Sequence, residues 1–221
     1  MPTVLFDIDH TLAFDNKLEL KVLEAMVHEM APPSEQIDKI IEIASHQFER
    51  VRIGQVGIAE ALTELFGQLA TGADARQLAA TYIERVVGQC HQYLRVSPGA
   101  RQVLGDLQGQ GVQVGILSNG WTRLQEEKIR LIGFEGPLFV SEAIGYWKPD
   151  VRAFDFVLQQ LGADRGATWF VGDSPTSDIQ GAKSAGLRAA WVNWEGQTYP
   201  PGLPPPDREV RRLEDVLEAV R

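Results

Sequence analysis

Two aspartates, Asp7 and Asp9, follow a short apolar run at the start of the chain, and a hydroxyl side chain follows them at Thr11. In an extended segment, side chains two positions apart point the same way, so both carboxylates are expected to face one small volume. Adjacent carboxylates repel each other unless a cation or a proton compensates their charge. The pair predicts a metal or acid–base site, although a solvated turn after a strand would also place aspartates here.

Similar polar groups follow three further apolar runs. The complete set, in chain order, is Asp7, Asp9 and Thr11, then Ser118 and Asn119, then Lys148, then Asp173 and Asp178. Taken singly, each has an ordinary explanation: a turn at Ser118 and Asn119, a surface charge at Lys148, or a helix cap at Asp173. Their joint occurrence at four predicted strand ends favours a functional site over coincidence.

Short apolar runs alternate with helical patterns, which is typical of a parallel sheet covered by helices. The predicted strands are Val4 to Phe6, Val112 to Leu117, Leu138 to Val140, Thr168 to Val171 and Ala189 to Val192. The pattern predicts an α/β fold with a mainly parallel sheet. Ligands of such sheets bind beyond the carboxyl ends of the strands, where the polar groups lie.

A long stretch after the first strand carries only helical apolar spacing. The predicted helices are Lys17 to Met30, Ser34 to Arg50, Gly57 to Phe66 and Asp74 to Leu94. This stretch is too long for a crossover connection, so residues 14–96 are predicted to form an inserted helical cap domain. Residues 1–13 and 97–221 form the predicted core domain. Ser97 and Pro98 are expected to begin the first helix after the insertion, as N-cap and first helical residue.

The composition excludes several classes of partner. The 221 residues carry a formal net charge of −9 and no run of basic residues, so binding to nucleic acid polymers or anionic membranes is not expected. No apolar stretch reaches the length of a membrane span, and the start of the chain does not resemble a secretion signal. The single cysteine, Cys90, fits a reducing compartment. We expect a cytoplasmic protein, either monomeric or homodimeric.

Four motifs together resemble the haloacid dehalogenase-like (HAD) hydrolase superfamily: FDIDHTL, ILSNG, WKPD and FVGDSPTSD. The resemblance spans nearly the whole chain and implies a Rossmann-like core, with a doubly wound, mainly parallel sheet, and a small helical cap. Two longer runs, SNGWTRLQEEKIRLIGF and GDSPTSDIQGAKSAGLRAAWVN, are similar to nucleoside 5'-monophosphatases and N-acylneuraminate 9-phosphatases. The resemblance therefore implies a Mg²⁺-dependent phosphatase whose partner is a small phosphorylated metabolite, such as a nucleotide or sugar phosphate.

The resemblance also implies a role for each acidic residue. Asp7 would be the nucleophile that forms an aspartyl-phosphate, and Asp9 would be the general acid and base. The metal would be held by the carboxylates of Asp7 and Asp173 and by the backbone carbonyl of Asp9. Asp178 would orient a metal-bound water or support Lys148, and its direct ligation ranks lower.

The remaining motif residues would bind phosphate. Ser118 would donate its hydroxyl to the phosphoryl oxygens, together with the backbone amide of Asn119. Lys148 would balance the negative charge of phosphate and nucleophile. Thr11 would steady the first loop.

The identity of Asp9 separates reactions within the superfamily. Members that resemble haloacid dehalogenases protonate no alcohol and lack the acid at this place, so the aspartate favours phosphate esters. Two alternatives stay open. One is a phosphotransferase similar to sugar phosphomutases, and the other is a non-catalytic regulator that binds Mg²⁺ or carries a phospho-aspartate.

Substrate specificity is expected to lie in the cap. Arg50 and Arg52, next to an expected interhelical loop, are candidates to bind a second anionic or polar group, although exposed arginines are common. His10 and Trp147 depart from the residues expected in their motifs. We expect the His10 ring to pack or form hydrogen bonds rather than to take part in catalysis.

Overall fold

The computed structural model describes residues 1–30, 34–69 and 74–220, and the chain divides into two compact units. The first unit consists of Met1–Phe14 and Arg95–Arg221, and the second is Asp15–Leu94. That the second unit acts as a cap remains a prediction. Among the described residues, no helix combines the length and apolar character that a membrane span requires.

The first unit is built on a six-stranded sheet, and every pair of neighbouring strands in it is parallel. Its strands are β1 (Thr3–Phe6), β4 (Gln113–Ser118), β5 (Leu138–Val140), β6 (Thr168–Gly172), β7 (Arg188–Val192) and β8 (Arg208–Val210). Their spatial order is β5-β4-β1-β6-β7-β8, so the chain first adds strands on one side of β1 and then on the other. This confirms the predicted doubly wound α/β fold.

All five strands predicted for this sheet are present, with ends shifted by no more than one residue. β1 lies between β4 and β6 and is buried along its whole length, as expected for a central parallel strand with apolar side chains. The prediction missed β8, an edge strand of three residues that follows a proline-rich segment. It also missed β2 (Ala13–Phe14) and β3 (Arg95–Val96), which pair with each other in antiparallel fashion. Strands this short carry no readable alternation.

Helices follow the strands of the sheet. They are α5 (Ala100–Gly109), α6 (Thr122–Ile132), α7 (Ser141–Ile144), α8 (Val151–Leu161), α9 (Gly181–Ser184) and α10 (Val216–Ala219). α6 and α8 end at Gly133 and Gly162, as predicted, and both glycines adopt the left-handed conformation that ends a helix. A single π-helical segment, Pro175–Gln180, joins β6 to α9.

The predicted start of α5 was wrong. The helix begins at Ala100, and its N-cap is Gly99 with φ 76°, not Ser97. The Ser97 hydroxyl is buried and caps no backbone N–H of α5; among the described residues it has no hydrogen-bond partner. Its carbonyl instead accepts the Ala100 N–H at 3.1 Å, so a turn precedes the helix.

The second unit is helical. Its elements are α1 (Leu18–Glu29), α2 (Ser34–Arg52), α3 (Ile58–Leu69) and α4 (Ala75–Tyr93). Asp74 caps α4, because its carboxylate accepts hydrogen bonds from the N–H groups of Arg76 and Gln77. Tyr82 of α4 is fully buried, stacks on Phe48 and donates its hydroxyl to the Glu19 carbonyl at 2.9 Å. An apolar core of its own therefore holds this unit together.

One apolar cluster of the first unit lies between the sheet and helices α8 and α9. Phe154 of α8 packs edge-on against Phe170 of β6, with ring centroids 5.3 Å apart. Gly181, the first residue of α9, lies where a Cβ atom would come within 2.7 Å of the Phe154 ring and 3.0 Å of the Pro149 Cα. The close approach of α9 to α8 therefore requires glycine at this position.

We predict that Gly181→Ala lowers the free energy of unfolding by about 1–3 kcal/mol, because the buried Phe154 ring cannot yield to a new methyl group. The matched control is Gly105→Ala, in the exposed middle of α5, where nothing lies within 4 Å of a new Cβ. That control should gain about 0.5–1 kcal/mol. Urea unfolding of the two variants measures both effects, and equal shifts would contradict the packing argument.

Candidate active site

The central three strands bring the predicted motifs to one edge of the sheet. Asp7 directly follows β1, and its N–H donates to the Val171 carbonyl of β6 at 3.0 Å. Ser118 is the last residue of β4, and Asp173 directly follows β6. Because β4 and β6 flank β1 on opposite sides, this edge is where the strand order reverses, the usual ligand site of such sheets.

A buried lysine joins two of the carboxylates. Lys148 Nζ donates to Asp7 Oδ1 at 2.6 Å and to Asp178 Oδ1 at 2.7 Å, and its side chain is only 2% exposed. The other oxygen of Asp178 accepts the Ser174 N–H at 2.9 Å. Asp178 thus holds Lys148 beside Asp7.

Asp7, Asp173 and Asp178 form a three-carboxylate cluster in which one oxygen of each lies within 4.8 Å of the others. Burial raises the pKa of Asp7 to about 7, and the charges of Asp178 and Asp9 add to this while Lys148 opposes it. Burial likewise raises the pKa of Asp173 to about 8, with the charges of Asp178 and Asp7 contributing. One lysine does not balance three carboxylates, and the hard oxygen donors suit a divalent cation such as Mg²⁺.

The cluster is supported from the neighbouring elements. Trp191 Nε1, on β7, donates to the Asp173 carbonyl at 2.8 Å and so fixes the backbone at the end of β6. Thr11 Oγ1 makes a long contact of 3.5 Å with Asp173 Oδ1. Thr11 thereby connects the first loop to the acidic cluster.

Asp9 has different hydrogen-bond partners from Asp7. Its Oδ1 accepts from Lys128 Nζ at 2.6 Å and its Oδ2 from Gln125 Nε2 at 2.8 Å, both on α6. Burial opposes ionisation of Asp9, but the Lys128 ammonium and the Gln125 amide outweigh burial and lower its pKa. The two carboxylates of the first loop therefore lie in opposite electrostatic environments.

Asn119 uses its side chain in a way that the sequence did not suggest. Its amide nitrogen donates to the Lys148 carbonyl at 2.8 Å, and its amide oxygen accepts the Lys148 N–H at 2.9 Å. The residue therefore positions the backbone of Lys148. Ser118 is fully buried at the end of β4, and its hydroxyl lies 3.4 Å from the Asn119 carbonyl. Phosphate binding by Ser118 and by the Asn119 amide remains a prediction.

His10 lies beside the site. Among the described residues, the structure shows no hydrogen bond between His10 and the three-carboxylate cluster. Its backbone has a positive φ of 60°, and its ring packs edge-on against Phe14 at 5.5 Å. Its carbonyl accepts a hydrogen bond from Trp194 Nε1 at 2.7 Å. Trp147, next to Lys148, has a buried Nε1 that finds no partner among the described residues.

Arg50 and Arg52 lie in the last turn of α2, next to the segment that connects α2 to α3. Arg50 donates to Glu64 at 3.0 Å and to Gln47 at 2.6 Å. Arg52 lies 3.4 Å from Glu49, one turn earlier on the same helix. Each arginine already has a carboxylate partner within its own unit, and substrate binding by either remains a prediction.

The sequence analysis missed Gln125 and Lys128. A signal was present, because α6 buries an apolar stripe formed by Leu124, Ile129 and Ile132, and both polar residues interrupt that stripe. Lys128 is 1% exposed and Gln125 is 2% exposed. Polar residues at buried helical positions require partners, and here Asp9 supplies one.

Comparison with known proteins identifies the family. The model of the haloacid dehalogenase-like hydrolase family matches residues 1–186, so the chain belongs to that family. YfnB from Bacillus subtilis is 28% identical over 97% of this chain and 93% of its own length. The pyrimidine 5'-nucleotidase YjjG from Escherichia coli is 36% identical, over 49% of each chain. The chain thus matches about half the length of YjjG.

Solved structures agree with this assignment. The magnesium-bound crystal structure of YfnB superimposes with a TM-score of 0.74 at 25% identity and covers 99% of this chain and 98% of its own. A 2-haloacid dehalogenase from Pseudomonas syringae superimposes with a TM-score of 0.78 at 26% identity and covers 100% of this chain and 98% of its own. The proteins similar to this chain therefore include both phosphatases and dehalogenases. The fold alone does not separate these two activities.

We predict that the metal-free protein loses stability as the pH rises. The folded-state pKa values of Asp7 and Asp173, about 7 and about 8, exceed the ordinary value of 3.8. The folded state therefore binds more protons than the unfolded state between these values, and its stability falls as the pH rises through the folded-state pKa. Between about pH 6 and pH 9, unfolding in EDTA should show a loss of about 4 kcal/mol.

The control for this prediction is Asp173→Asn, which removes one of the two raised pKa values and should flatten the curve. Circular dichroism in urea at each pH measures the free energy of unfolding. A wild-type curve that rises with pH, or an unchanged slope in Asp173→Asn, would contradict the electrostatic account of the cluster.

Proposed function

We propose that the protein is a Mg²⁺-dependent phosphatase that hydrolyses a small organic phosphate monoester through an aspartyl-phosphate on Asp7. The observation that carries this proposal is the contrast between Asp7 and Asp9. One carboxylate lies against Lys148 in an acidic cluster suited to a metal, and the other is held by Lys128 and Gln125. Carboxylates in separate environments can take separate chemical roles.

The residues that would hold the metal are Asp7 and Asp173 through their carboxylates and Asp9 through its carbonyl, with Asp178 next to them. When bound, Mg²⁺ would shield the negative charges of nucleophile and phosphate from each other. Asp178 also holds Lys148, and both of its oxygens have hydrogen-bond partners. Its main role in the proposal is therefore to position Lys148.

In the first step, an Asp7 oxygen attacks phosphorus and the bond between phosphorus and the ester oxygen breaks. Lys148 compensates charge on Asp7, which it contacts at 2.6 Å. The leaving alcohol takes a proton from Asp9. Because the pKa of Asp9 is lowered, Asp9 is ionised before the substrate binds and must gain this proton on binding. A phosphate monoester that binds as its monoanion carries a proton that it can give to Asp9.

In the second step, water attacks the phosphorus of the aspartyl-phosphate, Asp9 accepts a proton from that water, and inorganic phosphate and free Asp7 are released. The ionised state that Lys128 and Gln125 favour for Asp9 suits this role as a base. A halide leaving group needs no proton, so an acid–base carboxylate beside the nucleophile favours phosphate esters over haloacids.

The substrate class rests on the relatives. YjjG is named a pyrimidine 5'-nucleotidase, and another relative, 35% identical over 46% of this chain, is a glyceraldehyde 3-phosphate phosphatase from Methanothermobacter thermautotrophicus. Both names describe small phosphate monoesters. We therefore assign this protein a nucleotide or a small sugar phosphate, with selection made by the helical unit.

We predict that the purified protein hydrolyses 4-nitrophenyl phosphate with Mg²⁺ and loses this activity in EDTA. Asp7→Asn removes the nucleophile and Asp9→Asn removes the acid and base, so each should lower turnover by at least about 10²-fold. Asp106→Asn, an exposed carboxylate on α5, is the matched control and should retain full activity. Phosphate release across nucleoside monophosphates and sugar phosphates then identifies the substrate.

The same assay includes 2-chloropropionate, with halide release as the readout. Chloride release without phosphate release from any ester would make the protein a dehalogenase and overturn the proposal. Transfer of phosphate to an added sugar, in place of water, would instead support the phosphotransferase alternative.

We also predict that Mg²⁺ stabilises the protein more at about pH 8 than at about pH 6. The metal binds deprotonated carboxylates, and protons on Asp7 and Asp173 compete with it at the lower pH. The melting temperature with and without MgCl₂ at each pH measures this. Asp173→Asn should remove most of the Mg²⁺ effect, and an equal effect in that variant would exclude the acidic cluster as the metal site.

A further inference from the structure

Helix α6 presents two donors to the same carboxylate. Lys128 Nζ lies 2.6 Å from Asp9 Oδ1, and Gln125 Nε2 lies 2.8 Å from Asp9 Oδ2. The two donors are three residues apart and therefore neighbours on one face of the helix. Since each Asp9 oxygen receives its own donor, both the position and the rotation of the carboxylate are fixed.

Stability alone does not explain these two residues. Lys128 and Gln125 are almost completely buried, whereas the Asp9 side chain is 34% exposed. Burying an ammonium group costs several kcal/mol, and its attraction to a partner often only offsets that cost. Apolar residues at both positions would continue the buried stripe of α6. The arrangement is better explained by what it does to Asp9.

Gln125 also connects Asp9 to the end of β4, where the residues proposed to bind phosphate lie. The same Nε2 group lies 3.2 Å from the Asn119 carbonyl, so one amide bridges the first loop and the second motif. Gly120 permits this approach, because a Cβ at that position would lie 2.7 Å from Gln125 Nε2. Asn119 in turn holds the backbone of Lys148 through two hydrogen bonds. Asp9 is therefore fixed relative to the residues assigned to the phosphoryl group.

We infer that Gln125 and Lys128 are positioning residues for Asp9. They hold its carboxylate where it can protonate the leaving oxygen in the first step and accept a proton from water in the second. This inference rests on the proposed function and adds two residues of the core to it. Gln125 and Lys128 touch Asp9 and not the reacting atoms. Substituting either residue should therefore slow phosphoryl transfer most when the leaving group needs an acid.

The test compares two esters of similar size. The leaving group of 4-nitrophenyl phosphate is stable as an anion and needs little protonation, whereas 4-nitrobenzyl phosphate releases an alcohol that requires an acid. Each ester is mixed with excess enzyme and MgCl₂, and the released alcohol or phenol is measured by chromatography. Under these conditions only the first transfer step is followed, so slow hydrolysis of the aspartyl-phosphate does not mask the difference.

We predict that Lys128→Met lowers the rate with 4-nitrobenzyl phosphate by about tenfold or more. The same variant should lower the rate with 4-nitrophenyl phosphate by less than about threefold. Gln125→Met should show the same selectivity. Because Gln125 is uncharged, this variant leaves no buried charge unpaired, and it serves as the test if Lys128→Met folds poorly. Arg130→Gln is the matched control, since Arg130 is on the same helix but exposed and paired with Glu127. It should leave both rates unchanged.

A double-mutant cycle separates positioning from general support of the fold. If Lys128 acts through Asp9, then adding Lys128→Met to Asp9→Asn should change the rate with 4-nitrobenzyl phosphate by less than about twofold, compared with about tenfold when Asp9 is present. Equal losses with the two esters, or a full effect of Lys128→Met in the Asp9→Asn protein, would overturn the inference while the phosphatase assignment stands. Failure of the wild type to transfer phosphate from either ester would overturn both.

Discussion

The site depends on a buried lysine between two carboxylates. Lys148 is held by Asp7 and Asp178 at 2.6 and 2.7 Å, in a place with almost no exposure to solvent. Such a charge is tolerable only because both partners are present, and the second oxygen of Asp178 is itself held by the Ser174 N–H. The surrounding elements serve this arrangement: β1 supplies Asp7, the π-helical segment after β6 supplies Asp178, and Asn119 fixes the lysine backbone.

A second consequence of the fold is the separation of Asp7 from Asp9. The two residues are two positions apart in the first loop, yet burial and like charges raise the pKa of Asp7, while Lys128 and Gln125 lower the pKa of Asp9. A nucleophile and an acid–base group need different environments, and here two different elements create them. The acidic cluster faces the ends of β1 and β6, and α6 provides the opposite environment for Asp9.

Much of the fold was predictable because strands of a central parallel sheet are nearly continuous apolar runs with turn residues at their ends. The five predicted strands, and the glycines that end α6 and α8, follow from such local signals. The errors fall where local signals are weak or compete. Ser97 and Pro98 form a plausible helix start, but the chain makes a turn there and begins α5 at Ala100. The strands β2, β3 and β8 are too short to show a period.

The sequence by itself determined the family and the types of residue at the strand ends, because each motif is a local run whose spacing is read directly. It also determined that Asp7 and Asp9 leave the first strand together. Only the tertiary structure decided that they have different partners, since Lys128 and Gln125 lie more than a hundred residues away along the chain. The same holds for Asn119 and Lys148, whose contact depends on how the end of β4 packs against the segment between α7 and α8. Local sequence specifies which groups are present, and long-range packing decides which charge each group meets.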